Sequence, residues 1–196
     1  MAKVVPHIVL IHGLNCSGTI FNHLRSKLPK HEATVIEYRS NDSIERSIEQ
    51  VIRALPALKP ITIVGHSLGG LIGHLLCSRD IPNLVIENLV TISSPFGGSE
   101  FAGLLRWFFP GYNILKDIAP GSKIIRELSS AKLDIPFLSL VSTEGSMPFI
   151  SGPNDGVVSI KSQYAIPATR RVDIEANHFE AVQHPSTISE IRRFVF

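Results

Sequence analysis

Ser67 sits in Gly65-His66-Ser67-Leu68-Gly69-Gly70, after the apolar run Ile61-Thr62-Ile63-Val64 and before a second one, Leu71-Ile72-Gly73-His74-Leu75-Leu76. A serine between two glycines, with a strand-like run before it and a helix-like run after it, is the context of a nucleophile elbow. The turn is so sharp that a Cβ at either glycine would meet neighbouring backbone. It holds the serine hydroxyl out above the C-terminal edge of a sheet. The same five residues also suit a tight strand-to-helix turn without chemistry, so the remaining chain must supply the partners.

A serine hydroxyl is a poor nucleophile until a neutral imidazole takes its proton. The imidazole in turn needs an acceptor that fixes its tautomer. After an elbow serine the acid comes next in the chain and the histidine last. Three histidines follow Ser67: His74, His178 and His184. His74 falls within the helix-like run, turned away from the chemistry. His178, in Glu175-Ala176-Asn177-His178-Phe179, lies just past the last strand-like run and is the favoured base; His184, before Pro185, is the alternative. His7, His12, His23, His31 and His66 precede the serine and fail the order, although His12 suits a structural hydrogen bond in its own loop.

Asp155, in Pro153-Asn154-Asp155-Gly156-Val157-Val158, is the favoured acid. Its rival is Glu144, which directly follows the preceding strand; the plain reading of Asp155 is an Asn-Asp-Gly turn. A tetrahedral oxyanion needs two convergent backbone donors. The N–H of Leu68, at a helix N-terminus, and the N–H of Leu14, after His12-Gly13, are the candidates.

These residues need a frame that brings loops together. Apolar strand-like runs at residues 7–11, 34–38, 61–64, 88–92, 136–141 and 171–175 alternate with helical patterns at 18–28 (stopped by Pro29), 44–55 and 187–195. Asp42 with Glu45, and Thr187 with Glu190, have the spacing of capping boxes. Continuous apolar strands alternating with helices predict an α/β fold, a mostly parallel central sheet with helices on both faces. Functional groups then collect at the carboxyl ends of the strands. The alternation breaks between about 96 and 125, where Phe96, Phe101, Trp107, Phe108, Phe109 and Tyr112 cluster. This segment is expected to be either extra core or a small cap-like insertion, with Phe96, Trp107 and Phe108 lining an acyl pocket.

The 196 residues suit one domain over 1–196, and 44% hydrophobic residues are ample for a core. A net charge of +2 with only short basic pairs, Arg170-Arg171 and Arg192-Arg193, gives no nucleic-acid track. Cys16 and Cys77 form neither a disulfide framework nor a zinc spacing. No apolar run reaches membrane-spanning length and no signal-peptide pattern follows Met1, so a cytoplasmic location is expected.

Taken together, Ile11-His12-Gly13-Leu14, Gly65-His66-Ser67-Leu68-Gly69-Gly70, Ser94-Pro95-Phe96-Gly97-Gly98-Ser99, Leu115-Lys116-Asp117-Ile118-Ala119-Pro120-Gly121-Ser122 and Asn154-Asp155-Gly156-Val157-Val158 resemble the lipase/esterase branch of the α/β-hydrolase superfamily. They are similar to small bacterial triacylglycerol lipases and to the lipase-like domain related to GPI inositol-deacylases. Phe96 departs from the histidine usual there. The resemblance implies a compact α/β-hydrolase fold. It also implies hydrolysis of a carboxylic ester or lipid through a serine acyl-enzyme, with Ser67, His178 and Asp155 as the triad and no cofactor or metal. The alternative class is a non-catalytic module of the same fold that binds an apolar ligand or a protein. Within enzymes, thioesterase, phospholipase and amidase chemistry use the same machinery.

Overall fold

The computed structural model describes residues 6–28, 33–56 and 59–196. Its frame is a six-stranded sheet in the order β2-β1-β3-β4-β5-β6, formed by β1 (His7–Ile11), β2 (Ala33–Ile36), β3 (Ile61–His66), β4 (Ile86–Ile92), β5 (Phe137–Ser142) and β6 (Arg170–Ile174). Every neighbouring pair is parallel. Side chains of a strand alternate between faces, and β1 shows what that does here. Ile8 and Leu10 pack with Phe21, Leu24, Ile191 and Val195, whereas Val9 and Ile11 pack with Ile44, Val51, Leu71 and Leu75. Ile8, Val9, Leu10 and Ile11 are all fully buried, so this part of the strand reads as unbroken apolar sequence rather than as alternation.

Five longer helices cover the sheet: α2 (Ile44–Ala54), α3 (Leu68–Ser78), α4 (Glu100–Phe108), α6 (Lys123–Ser130) and α8 (Pro185–Val195). Shorter ones are α1 (Asn22–Lys27), α5 (Ile114–Asp117) and α7 (Ile160–Gln163). Helices α4, α5 and α6 occupy the stretch between β4 and β5 where the sequence alternation fails. Arg79, just past α3, joins α2 and α6 by bonding Glu45 at 2.7 Å and Glu127 at 2.9 Å.

The chain leaves β1 toward β2 on one side, while β3 joins β1 on the other. Their carboxyl ends therefore open a crevice at the point where the strand order reverses, the usual ligand position in such sheets. The loop after β1 and the turn after β3 carry Leu14 and Ser67 to that place.

Several expected local details differ. The first helix begins as a 3-10 turn at Gly18–Phe21 before α1, and Pro29, expected to end it, lies outside the described residues. Strand β2 ends at Ile36, which frees Tyr38 to donate its hydroxyl to His12 O at 2.7 Å. Neither expected capping box forms. Ser43 caps α2 by accepting from Arg46 N, and Asp42 accepts from Ser43 N instead. Pro185, fixed near helical φ, starts α8 one residue after His184, whose Nδ1 accepts from Ser186 N. Thr187 is consequently buried inside the first turn, and Glu190 pairs with Arg170 at 2.6 Å.

Helix α3 lies so close to the sheet that a Cβ on Gly69 would stand 2.0 Å from Ile11 O. Gly103, within α4, has nothing within 4 Å of that position. Two alanine substitutions in helices should therefore act in opposite directions. Gly69→Ala is expected to cost at least about 1–3 kcal/mol of unfolding free energy. Gly103→Ala is expected to gain about 0.5–1 kcal/mol. Urea unfolding of both variants checks the contrast, and equal effects would contradict the close approach.

Candidate active site

Ser67 occupies the turn between β3 and α3 with φ 55° and ψ −119°. A non-glycine residue held there stores about 1–3 kcal/mol of backbone strain. The surroundings enforce it. Ser67 N donates to Ile92 O at 2.8 Å, Ser67 O accepts from Gly70 N at 3.0 Å, and a Cβ on Gly65 would lie 2.4 Å from Gly69 O. The side chain is left partly accessible at the N-terminus of α3.

Asp155 and His178 come from the loops after β5 and β6. His178 Nδ1 lies 2.7 Å from Asp155 Oδ2, with both side chains buried. A carboxylate only accepts, so Nδ1 carries the hydrogen and Nε2 keeps its lone pair. The backbone repeats the link, because His178 N donates to Asp155 O at 3.0 Å. Five groups donate to the Asp155 carboxylate: His178 Nδ1, Ser142 Oγ and Gln163 Nε2 to Oδ2, and the N–H groups of Val157 and Val158 to Oδ1. Burial alone raises the pKa of this carboxyl, but the hydrogen bonds and charge of His178, followed by Ser142 and Val158, outweigh it and hold the group below its ordinary value. Ser142 Oγ reaches Asp155 Oδ2 and also lies 2.8 Å from Ser93 Oγ.

The loop after β1 is pinned from several sides. The buried His12 ring stacks on Tyr38 at 4.5 Å and donates from Nδ1 to Gly13 O at 2.9 Å. Asn15 N donates to Ser40 Oγ at 2.9 Å and Gly18 N to Glu37 at 2.7 Å. Among the described residues, neither Leu14 N–H nor Leu68 N–H has a protein acceptor. Two free donors thus stand at the crevice beside Ser67.

Ser67 and His178 line one cavity of about 250 Å³, together with Leu14, Leu68, Phe101, Leu105, Leu115 and Ile118. Phe101, Ala102 and Leu105 present the cavity face of α4. Three expected lining residues are elsewhere. Phe96 is buried edge-on against His74 at 5.6 Å and Phe137 at 5.9 Å. Trp107 and Phe108 are 87% and 71% exposed, because helical spacing carries them off the face that Phe101 and Leu105 share. Of the rival groups, Glu144 has an exposed side chain and His184 is spent on the α8 cap. Among the described residues no group of three or more His, Cys, Asp or Glu is placed to hold a metal ion. No helix among them is long and apolar enough to cross a membrane.

A family model described as "Alpha/beta hydrolase family" matches residues 8–159. The chain belongs to that family. The match runs from β1 through the acid loop and stops short of His178. Among curated proteins no sequence match is found. Solved structures show the same α/β-hydrolase fold at low identity. A metagenomic carboxyl esterase is 17% identical with a TM-score of 0.77, over 100% of this chain and 76% of that one. A Bacillus licheniformis lipase in its mature form is 17% identical with a TM-score of 0.76, over 99% and 94%. A lipase-esterase related protein from Clostridium acetobutylicum is 18% identical with a TM-score of 0.69, over 98% and 96%.

Sequence reasoning about this hydrolase missed Ser142, Gln163 and Ser93. The available signal was position: Ser142 closes β5 at its carboxyl end, and Gln163 is buried on the short helix after the acid loop.

The depressed Asp155 pKa has a consequence for stability. Below the ordinary carboxylate value the unfolded chain takes up a proton that the folded chain still refuses, so stability is lost as the pH falls toward the folded value. Between about pH 5 and pH 3, melting temperature should fall more steeply for the wild type than for Asp155→Asn. Parallel slopes by calorimetry would show that Asp155 carries no such linkage.

Proposed function

We propose that this hydrolase cleaves carboxylic esters by acyl transfer to Ser67. The observation that carries the reading is the buried His178–Asp155 pair at the wall of an apolar cavity that also contains the strained Ser67. His178 Nε2 takes the Ser67 proton as Oγ attacks the ester carbonyl. The N–H groups of Leu14 and Leu68 stabilise the oxyanion, the second aided by the α3 dipole. His178 then gives the proton to the departing alcohol oxygen. Water enters, loses its proton to the same imidazole and releases the acid, which restores Ser67. Asp155 holds the imidazole in its working tautomer through both halves.

The cavity lining supports a neutral, apolar acyl group, since Leu14, Leu68, Leu105, Leu115 and Ile118 offer no partner to a charge. In this reading residues 1–196 form one catalytic domain, with the 96–125 segment acting as its cap through Phe101 and Leu105 rather than through Trp107. Thioesters fit the same machinery, because the attack and the oxyanion are unchanged.

Ser67→Ala and His178→Ala should each lower turnover of p-nitrophenyl esters by about 10⁴-fold or more. A fluorophosphonate probe should label the wild type at Ser67, lose fluoride in doing so, and leave both variants unlabelled. An unlabelled wild type without turnover over a range of acyl lengths would favour the binding-module alternative.

A further inference from the structure

His66 is the residue just before Ser67, and no step above uses it. Its side chain is fully buried at the end of β3, yet it touches the other parts of the site. Nε2 lies 3.0 Å from the carbonyl oxygen of His178. A carbonyl only accepts, so Nε2 carries the hydrogen and Nδ1 is the bare nitrogen. The His66 and His178 rings are 4.9 Å apart. On the other side, Nδ1 has no hydrogen-bond partner among the described residues, and a Cβ on Gly13 would come within 3.3 Å of it. One imidazole therefore stands between the loop with the Leu14 donor and the loop with the base, fastened by its own backbone to the nucleophile.

We propose that His66 is a positioning residue for the reaction, which locks the His178 loop to the nucleophile elbow through its Nε2–H bond to the His178 carbonyl. This rests on the esterase reading above. The bond matters because the other hydrogen bonds of His178 itself, from Nδ1 and from N–H, both go to Asp155, and the loop's Ala176 O is held by Glu144 N beyond β5, so none of these reaches the elbow. The His66 bond is the tie toward the elbow, and it sets how far Nε2 of His178 stands from the hydroxyl it must deprotonate. A misplacement of a fraction of an ångström at that proton is felt in the chemical step and not in substrate binding.

Charge supports the assignment. Burial, then the neighbouring His178, pushes the His66 pKa down to about 3, against the opposing His178 carbonyl and Asp155 carboxylate, with His12 adding to the fall. His66 thus stays neutral at working pH. A second cation would otherwise sit beside His178 when that ring accepts the serine proton, and would oppose the step.

Two isosteric amides test the bond. In His66→Gln the amide NH₂ falls where Nε2 was and can still reach the carbonyl. In His66→Asn it falls near Nδ1 and cannot. The expected result is that His66→Gln keeps kcat within a factor of about three, whereas His66→Asn loses about tenfold or more in kcat with KM unchanged. The fluorophosphonate labelling rate of Ser67 should fall in parallel. Thermal melts of both proteins measure folding separately from turnover. Equal kcat in the two variants, or a loss confined to KM, overturns the proposal. A wild type that is neither labelled nor active removes the esterase reading and this inference with it.

Discussion

A carboxylate without solvent is the constraint on which the site depends. Moving a charge out of water is costly unless hydrogen bonds replace the lost hydration. Asp155 meets that condition with side chains from β5, α7 and the β6 loop, plus two N–H groups of its own turn. These donors fix far more than one residue. They bind the ends of two strands and a short helix to a common point, so the acid loop has one geometry. Gly145 packs its backbone against Asp155 so tightly that a Cβ would lie 2.2 Å from Asp155 C. The imidazole of His178 inherits its position from this cluster.

The elbow solves the complementary problem. A nucleophile must be reachable, whereas its partners must be dry. The parallel sheet supplies both conditions, because strand ends are the places where backbone leaves the core while still hydrogen-bonded to a neighbour. Ser67 N bonds to Ile92 O, and Ser93 N bonds to Leu140 O, so each turn is anchored on the next strand across the sheet. Ser93 also has positive φ, at 55°. Two successive strands thus end in strained serines, one at the cavity and the other with its hydroxyl against Ser142 of the Asp155 cluster.

Much of this was legible in the residues themselves. Gly65-x-Ser67-x-Gly69 reveals a turn that only glycine permits, and chain order together with position past the later strands favours Asp155 over Glu144 and His178 over His184. The sheet was legible because a strand covered on both faces is mostly apolar without alternation, as Ile8 to Ile11 shows. What was not legible depended on direction. Phe96, Trp107 and Phe108 have the right chemistry for an acyl pocket, but apolarity does not say which way a side chain points; Phe96 went to the core and Trp107 to the surface. The capping residues failed for a related reason, since two adjacent polar residues compete for one helix start and Pro185 moved the other. Ser142 and Gln163 offered only their positions, because a serine ending a strand and a glutamine on a helix are ordinary until the fold sets a carboxylate between them.

His178, the proposed base, hangs from the end of the sheet. Among the described residues β6 pairs only with β5 and has no neighbour on its outer side, and most of its residues are only partly buried. Ser67, by contrast, follows β3, which lies inside the sheet and is buried along its whole length. Structural elements open locally in the order of their burial and hydrogen bonding. The edge therefore detaches at a lower free energy than the centre, and it takes the imidazole with it while the elbow stays formed. Under the proposed mechanism activity fails before folding does, and the margin between the two is set at the sheet's last strand.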